Sequence, residues 1–204
     1  VLVISCALRF GADKFKVWSL GSADQQDEAA LIRAFYDGIA KYTPQLVSWN
    51  GAGFDLPVLN YRGIIHGIQA DRFWDMGEND RDFKYNNYIS RYHTRHMDLM
   101  DMLSMYQGRG NAPLDEMAKL CGFPGKMGMD GSQVWPAFQR GEINEIRNYC
   151  ETDACNTYLM ALRFNLIRGQ LTPVAYATEI ALVYNTLKNN NAAHWQEFLA
   201  QWSI

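Results

Sequence analysis

The sequence predicts an α/β domain, because strand-like and helix-like segments alternate along its 204 residues. Residues 1–10 and 15–20 are strand-like and flank the turn-forming residues 11–14, a pattern that is typical of a hairpin. Residues 27–42 place apolar side chains at helical spacing after an acidic start. A chain of this length and apolar content can bury the core of one domain, with room for a helical extension.

The centre of the chain continues this alternation. A short apolar run precedes a glycine-containing turn and a helix, and a long polar and aromatic insertion follows. Asp98 then comes just before another helical segment and is of a residue type that is preferred as an N-cap. The predicted elements are a strand at 46–48, a helix at 56–67, the insertion at 70–92, a strand at 96–98 and a helix at 99–106.

The last third is predicted to be mostly helical. Gly122 and Gly169 follow two of its helical segments, and glycine is the residue that most often ends a helix. The predicted elements are a short helix at 113–121, a flexible loop at 127–131, a long helix at 142–168 and two helices within 172–204 that are separated by the asparagines at 189–191.

The segment 48–57, SWNGAGFDLP, places a carboxylate at the end of a predicted strand. Gly51 and Gly53 allow a tight turn, and Asp55 falls where the N-cap of the next helix is expected. Because Asp is among the commonest N-caps, Asp55 taken alone is explained by a capping role. The functional interpretation, in which Asp55 serves a catalytic site, needs a second signal.

That second signal lies about a hundred residues later, in the long predicted helix. Tyr149 and Asp153 are four residues apart, so a phenol and a carboxylate share one helical face. The structural alternative is a core tyrosine whose hydroxyl satisfies a hydrogen bond. The carboxylate at this spacing favours the functional interpretation.

The pattern Asn50-x3-Phe54-Asp55 followed by Tyr149-x3-Asp153 resembles the second and third motifs of the DEDD-type 3′-5′ exonucleases, in the subtype with a tyrosine. The likeness is to the exonuclease domain of family B DNA polymerases and its stand-alone bacterial relatives, and it covers nearly the whole chain. The resemblance implies an RNase H-like mixed sheet flanked by helices. It also implies metal-dependent hydrolysis at the 3′ end of single-stranded DNA.

The resemblance also implies roles for single residues. Two Mg²⁺ or Mn²⁺ ions would be the cofactors, with Asp55 and Asp153 as carboxylate ligands that meet at one edge of the sheet. Tyr149 would orient the attacking water through its phenol, and Asn50 would hydrogen-bond the terminal nucleotide or fix the turn. The candidate catalytic residues are thus Tyr149, Asp153 and Asp55, and the candidate substrate contacts are Asn50, Phe54 and Arg62.

One departure from the family is as informative as the match. The first motif of these enzymes is an Asp-x-Glu at the end of the first strand, and no Asp-x-Glu occurs in the 204 residues. The chain opens without Met on residues that resemble the second strand of the family. We therefore expect the central first strand to be missing and this chain to be inactive by itself. The expected domains are the exonuclease domain at 1–170 and a helical extension at 171–204.

Composition and charge limit the function classes. A net charge of −3 argues against a protein that coats nucleic acid through bulk electrostatics, but it leaves room for local phosphate contacts. No run of 18 apolar residues is present, so neither a membrane span nor a membrane partner is expected. A cytoplasmic location is expected from the cysteines, since reduced thiols are typical of that compartment. The cysteines lack Cys-x2-Cys spacing, which favours reduced thiols over structural zinc; they are Cys6, Cys121, Cys150 and Cys155.

The insertion and its neighbours interleave cations with aromatic rings. Such a pattern suits either a groove for a single strand or a solvated loop with a few packed rings, and the sequence does not decide between them. His93 and His96 would face opposite sides of a strand, so zinc is not expected there. The residues concerned are Arg62, Arg72, Trp74, Arg81, Phe83, Lys84, Tyr85, Tyr88, Arg91, Tyr92, Arg95 and Arg109.

Three functions remain open on sequence grounds. The first is a 3′-5′ exonuclease that acts on single-stranded DNA ends. The second is a non-catalytic nucleic-acid-binding module of the same fold, and the third is a 3′-5′ exoribonuclease. No residue pattern distinguishes the sugar of the substrate.

Overall fold

The structure is a computed structural model, and it describes residues 1–22, 24 and 27–203. It mixes helices with small sheets, which confirms the α/β class. The chain divides into two compact units. Unit 1 contains Val1–Ile4 and Asp24–Asn111, and unit 2 contains Ser5–Ala23 and Ala112–Ile204.

The described strands form two two-stranded sheets, in which β1 pairs with β2 and β3 pairs with β4. These strands are β1 (Ile4–Phe10), β2 (Lys14–Leu20), β3 (Leu46–Ser48) and β4 (His96–Asp98). The described α-helices are α1 (Glu28–Tyr42), α2 (Asp55–His66), α3 (Asp71–Trp74), α4 (Leu99–Leu103), α5 (Leu114–Leu120), α6 (Val134–Gln139), α7 (Ile143–Ile167), α8 (Pro173–Lys188) and α9 (Ala193–Ala200). Short 3-10 turns lie at Arg81–Lys84, Gly108–Gly110 and Gly131–Gln133.

Unit 1 packs α1, α2 and the insertion around an aromatic core. Asp27 begins α1, because its carboxylate accepts hydrogen bonds from the amides of Ala29 and Ala30. The core side chains are Ile32, Tyr36, Ile39, Leu59, Phe73, Phe83 and Tyr88. The parallel pair β3–β4 sets Leu46 opposite His96 and Ser48 opposite Asp98, so the carboxyl ends of the two strands lie side by side.

The insertion is packed structure and not an open loop. Phe83 is fully buried, and the guanidinium groups of Arg72 and Arg95 lie 4.5 and 4.1 Å from the centroid of its ring. Arg72 also forms an ion pair with Asp80 at 3.0 Å. These contacts favour the packed interpretation for Arg72 and Arg95, while Tyr85 and Tyr92 remain exposed.

Unit 2 is built on the long helix α7, which contacts β2, α5, α6, α8 and α9. The turn between β1 and β2 is held by Arg9, whose guanidinium donates to the carbonyls of Gly11 and Ala12 and pairs with Glu179 on α8 at 2.8 Å. Glu151 on α7 accepts from Ser19 of β2 at 2.8 Å and pairs with His194 of α9 at 3.1 Å. These buried polar contacts fix the last helix within the unit.

Most predicted elements are present, with differences that include the unpredicted short helix α3 within the insertion. The helix predicted at 99–106 ends at Leu103, because Met105 and Tyr106 adopt positive φ angles of 55° and 61°. Helix α6 was not predicted, because its six residues include Pro136 and are too few to show a period. Among the described residues, no helix is both long and apolar enough to cross a bilayer. No disulfide joins the described cysteines.

Candidate active site

The turn after β3 is very tight. Asn50 has a φ of 64°, in the left-handed region that Asn tolerates better than most residues, and its carbonyl accepts from the amides of Gly53 and Phe54. A Cβ on Gly51 would lie 2.4 Å from the Ser48 side chain. A Cβ on Gly53 would lie 2.4 Å from Oδ1 of Asn50. Gly51 is therefore required by close approach, because a side chain there would meet the Cβ of Ser48, whereas at Gly53 it would meet only the movable end of the Asn50 side chain.

Asp98, at the end of β4, holds this turn from the neighbouring strand. Its Oδ1 accepts the amide of Asn50 and its Oδ2 accepts the amide of Ala52, both at 2.9 Å. The same carboxylate accepts the Asp101 amide at 3.4 Å and caps α4, as predicted. Beside it, the buried His96 is hydrogen-bonded to Oγ of Ser48 at 2.8 Å, and burial lowers the pKa of its imidazole.

Asp55 does not cap α2, so the prediction that it is the N-cap is wrong. Phe54 occupies the N-cap position without a side-chain hydrogen bond, and Asp55 is the first helical residue. The Asp55 side chain is exposed, yet neighbouring protein atoms restrict its hydration. This desolvation, aided by the negative charge of Asp98, outweighs the bond from its own amide and raises the pKa of the Asp55 carboxyl. Its carboxylate is thus not committed to capping.

The two other candidate substrate contacts of unit 1 differ in their surroundings. The Phe54 side chain is 63% exposed, beside Asp55. Arg62, two turns along α2, forms a bidentate ion pair with Glu28 of α1, and His66 bonds to the same carboxylate at 2.7 Å. The guanidinium of Arg62 therefore already has an intramolecular partner.

Tyr149 and Asp153 lie on α7, and the structure brings them together as predicted. The Tyr149 phenol lies close enough to the Asp153 carboxylate for that charge to act on it. Desolvation, followed by the negative charge of Asp153, raises the pKa of Tyr149 far above its usual value. The phenol is therefore protonated at every physiological pH and acts as a hydrogen-bond donor.

Lys126 is a neighbour of Tyr149 that sequence analysis missed. Its ammonium lies over the Tyr149 ring, 5.5 Å from the centroid. The loop that carries it is fixed by Asn156 of α7, a fully buried amide that accepts from the nitrogen of Gly125 and donates to its oxygen at 2.7 Å. Asp115 accepts the Lys126 amide, also at 2.7 Å. A lone lysine in a loop belongs to no periodic pattern that would single it out. The signal in the sequence is the adjacent Gly125, which indicates a turn and has a φ of 74° in the structure.

A cavity of about 390 Å³ opens beside the Asn50 turn within unit 1. Its wall includes Asn50, Asp98 and Tyr106, and the ion pair between Arg91 and Asp101. The Arg91 guanidinium also lies 5.1 Å from the centroid of the Tyr106 ring. Arg91 therefore joins Arg62, Arg72 and Arg95 as a cation of the central region that has partners within the chain.

The carboxylates of Asp55 and Asp153 are suitable ligands for divalent cations, but two carboxylates are too few to form a metal site. Among the residues that the structure describes, no three His, Cys, Asp or Glu side chains are grouped so as to hold a metal ion. Asp55 belongs to unit 1 and Asp153 to unit 2, so their meeting at one centre stays a prediction. Two carboxylates are fewer than a pair of hard cations requires, and a metal site cannot be built from these residues alone.

Comparison with protein families gives a match over nearly the whole chain. A family model described as a predicted 3′-5′ exonuclease related to the exonuclease domain of PolB matches residues 1–202. A search of the curated proteins finds no match. Because the family match spans nearly all of the chain and agrees with the resemblance of the two motifs, this chain belongs to the family of predicted 3′-5′ exonucleases related to the exonuclease domain of PolB.

Proposed function

We propose that this protein is a metal-dependent 3′-5′ exonuclease that hydrolyses phosphodiester bonds at the 3′ end of single-stranded DNA. The observation that carries the proposal is the pairing of a protonated Tyr149 with Asp153 on α7. A neutral phenol beside a carboxylate can donate a hydrogen bond to a water molecule and hold it in one orientation. Exonuclease domains of this kind generally use divalent metals.

Each candidate residue has a proposed role. Asp55 and Asp153 are ligands to Mg²⁺ or Mn²⁺, and Tyr149 orients the attacking water. Asn50 and Phe54 contact the 3′-terminal nucleotide, the first by hydrogen bonds and the second through its exposed ring. Arg62 contacts the phosphate backbone with the part of its side chain that remains exposed beside Glu28.

Lys126 is a further candidate within the same chemistry. Its ammonium lies on the face of the Tyr149 ring, and the Asp153 carboxylate acts on the hydroxyl of the same ring. Phosphodiester hydrolysis adds negative charge to the phosphate in the transition state, and a fixed cation nearby stabilises that charge. We assign Lys126 this role.

We propose more specifically that the fold is an RNase H-like mixed sheet flanked by helices. Residues 1–170 would form the catalytic domain and residues 171–204 a helical extension. The Asp-x-Glu motif that would complete the ligand set is absent from these 204 residues. The 204-residue chain alone should therefore be inactive or nearly so.

The test uses the protein expressed from its natural gene and a single strand labelled at its 5′ end, in DNA and RNA versions. We expect a ladder of products that shorten one nucleotide at a time from the 3′ end, only with Mg²⁺ or Mn²⁺. Asp153→Asn should abolish the ladder, whereas Glu145→Gln, on an exposed position of the same helix, should not. Strand binding without cleavage would instead make the protein a binding module, and cleavage of RNA alone an exoribonuclease.

A further inference from the structure

The negative charge of Asp98 acts on the Asp55 carboxyl, but the Asp98 carboxylate itself binds backbone amides. Both of its oxygens accept backbone amides, from Asn50 and Ala52, at 2.9 Å each. These two amides bracket Gly51, the glycine at which a Cβ would collide with Ser48. The residue itself is only 7% exposed. A cation on this carboxylate would compete with these two hydrogen bonds.

The geometry points to Asp98 as the positioning residue of the turn that carries Asn50, Phe54 and Asp55, and not as a metal ligand. This inference rests on the proposed function, since it concerns how that site is held. We propose that Asp98 fixes the left-handed conformation of Asn50 and thereby the direction in which α2 starts. Asp55, as the first residue of α2, takes its place from that start.

The strand register explains how one side chain can do this. Asp98 is opposite Ser48 in the parallel pair, so the segment that leaves β3 passes directly beside its carboxylate. His96, two residues before Asp98 on β4, is also hydrogen-bonded to Ser48 of β3. An ionised carboxylate accepts amide hydrogen bonds more strongly than a neutral group. Two such hydrogen bonds to one carboxylate at a rigid strand end restrict the turn to one conformation.

Asp98→Asn tests this role, because it keeps the shape but replaces one acceptor oxygen by a donor that faces an amide. Hydrogen exchange of the Asn50 and Ala52 amides, measured by NMR, should accelerate about tenfold, the equivalent of one hydrogen bond of about 1.4 kcal/mol. In the natural gene product the single-turnover rate should fall about a hundredfold with little change in KM, since misplacement by about 1 Å has that effect. Asp98→Glu should restore neither the slow amide exchange nor the turnover, because its longer side chain cannot bind the same two amides.

Asp75→Asn is the matched control. Asp75 is another buried carboxylate of unit 1, 3% exposed, and it accepts the amides of Gly77 at 2.9 Å and Asp80 at 3.0 Å. Its replacement should lower the thermal midpoint without changing exchange at Asn50 and Ala52 or the turnover of folded protein. The two variants are compared at equal fraction folded.

The outcomes separate this inference from the proposed function. Unchanged exchange at Asn50 and Ala52 in Asp98→Asn would overturn the positioning role, whether or not the protein is a nuclease. Faster exchange with full turnover would also overturn it, because the turn would then not matter to the site. If the wild-type protein lacks nuclease activity, the proposed function fails, and exchange alone decides whether Asp98 holds the turn.

Discussion

Tyr149 and Asp153 stand one helical turn apart on α7, and the Tyr149 phenol is held protonated by burial and by the charge of that carboxylate. If the phenol orients the attacking water, Tyr149→Phe should lower turnover by about ten- to a thousandfold, the equivalent of about 1.4 to 4 kcal/mol of transition-state stabilisation. The thermal midpoint should barely move. Single-turnover rate and midpoint are measured on the same samples of the natural gene product.

Tyr158→Phe is the control for that experiment. Tyr158 lies on the same helix and donates to Glu179 at 3.2 Å, and burial raises the pKa of its phenol as well. Its loss should lower the midpoint and leave turnover unchanged. A Tyr149→Phe variant that behaves like Tyr158→Phe would return Tyr149 to a structural role.

Lys126→Met removes the cation above the Tyr149 ring and keeps most of the side-chain length. We expect the single-turnover rate to fall by about a hundredfold, as when one stabilising group of a transition state is removed, and the dependence of the rate on salt to weaken. Lys188→Met, at an exposed lysine at the end of α8, serves as control. Equal rates for the two variants would show that Lys126 only packs on the ring.

Glu151 joins three elements of unit 2, so its loss should destabilise that unit. Burial disfavours its charge, but the bonds from His194 and Ser19 outweigh that effect and lower the pKa of the carboxyl. Glu151→Ala leaves those partners unpaired and should reduce the free energy of unfolding by about 1 to 3 kcal/mol in urea titrations. Glu145→Ala, exposed on the same helix, should change it by less than about 0.5 kcal/mol. Equal effects of the two variants would contradict this account of α9.

Alkaline pH should destabilise unit 1 through Tyr36. Burial raises the pKa of this phenol to about 12, against about 10 for an unfolded tyrosine. The folded state therefore holds the proton more tightly, and the stability from this site is complete below pH of about 10 and lost as pH rises towards about 12. Tyr36→Phe should flatten the fall in unfolding free energy over this window. Tyr61→Phe, whose side chain is 70% exposed, should not.

The sequence was sufficient where the pattern is local. The strands at 46–48 and 96–98 and the long helix from Ile143 follow from apolar periodicity and flanking glycines. The pairing of Tyr149 with Asp153 follows from a spacing of four on a helix. These features need only neighbours along the chain.

The features that the sequence did not reveal depend on contacts between distant segments. Asp98 reads as an N-cap, and its bonds to Asn50 and Ala52 arise only once β3 and β4 lie in register. Lys126 reaches Tyr149 because Asn156 anchors Gly125, a contact across 31 positions. The prediction of Asp55 as the N-cap is wrong because it relied on the preference for Asp at that position, whereas α2 starts with Asp55 itself.

The most direct test of the central claim is a double-mutant cycle on Asp55 and Asp153. Single-turnover release of the 3′-terminal nucleotide from single-stranded DNA is measured in Mn²⁺ for wild type, Asp55→Asn, Asp153→Asn and the double variant of the natural gene product. Residues that serve one reaction as a unit lose activity non-additively, so the double variant should be no slower than the worse single variant. Two losses that multiply, or a single variant with full activity, would contradict the assignment of these carboxylates to one hydrolytic site.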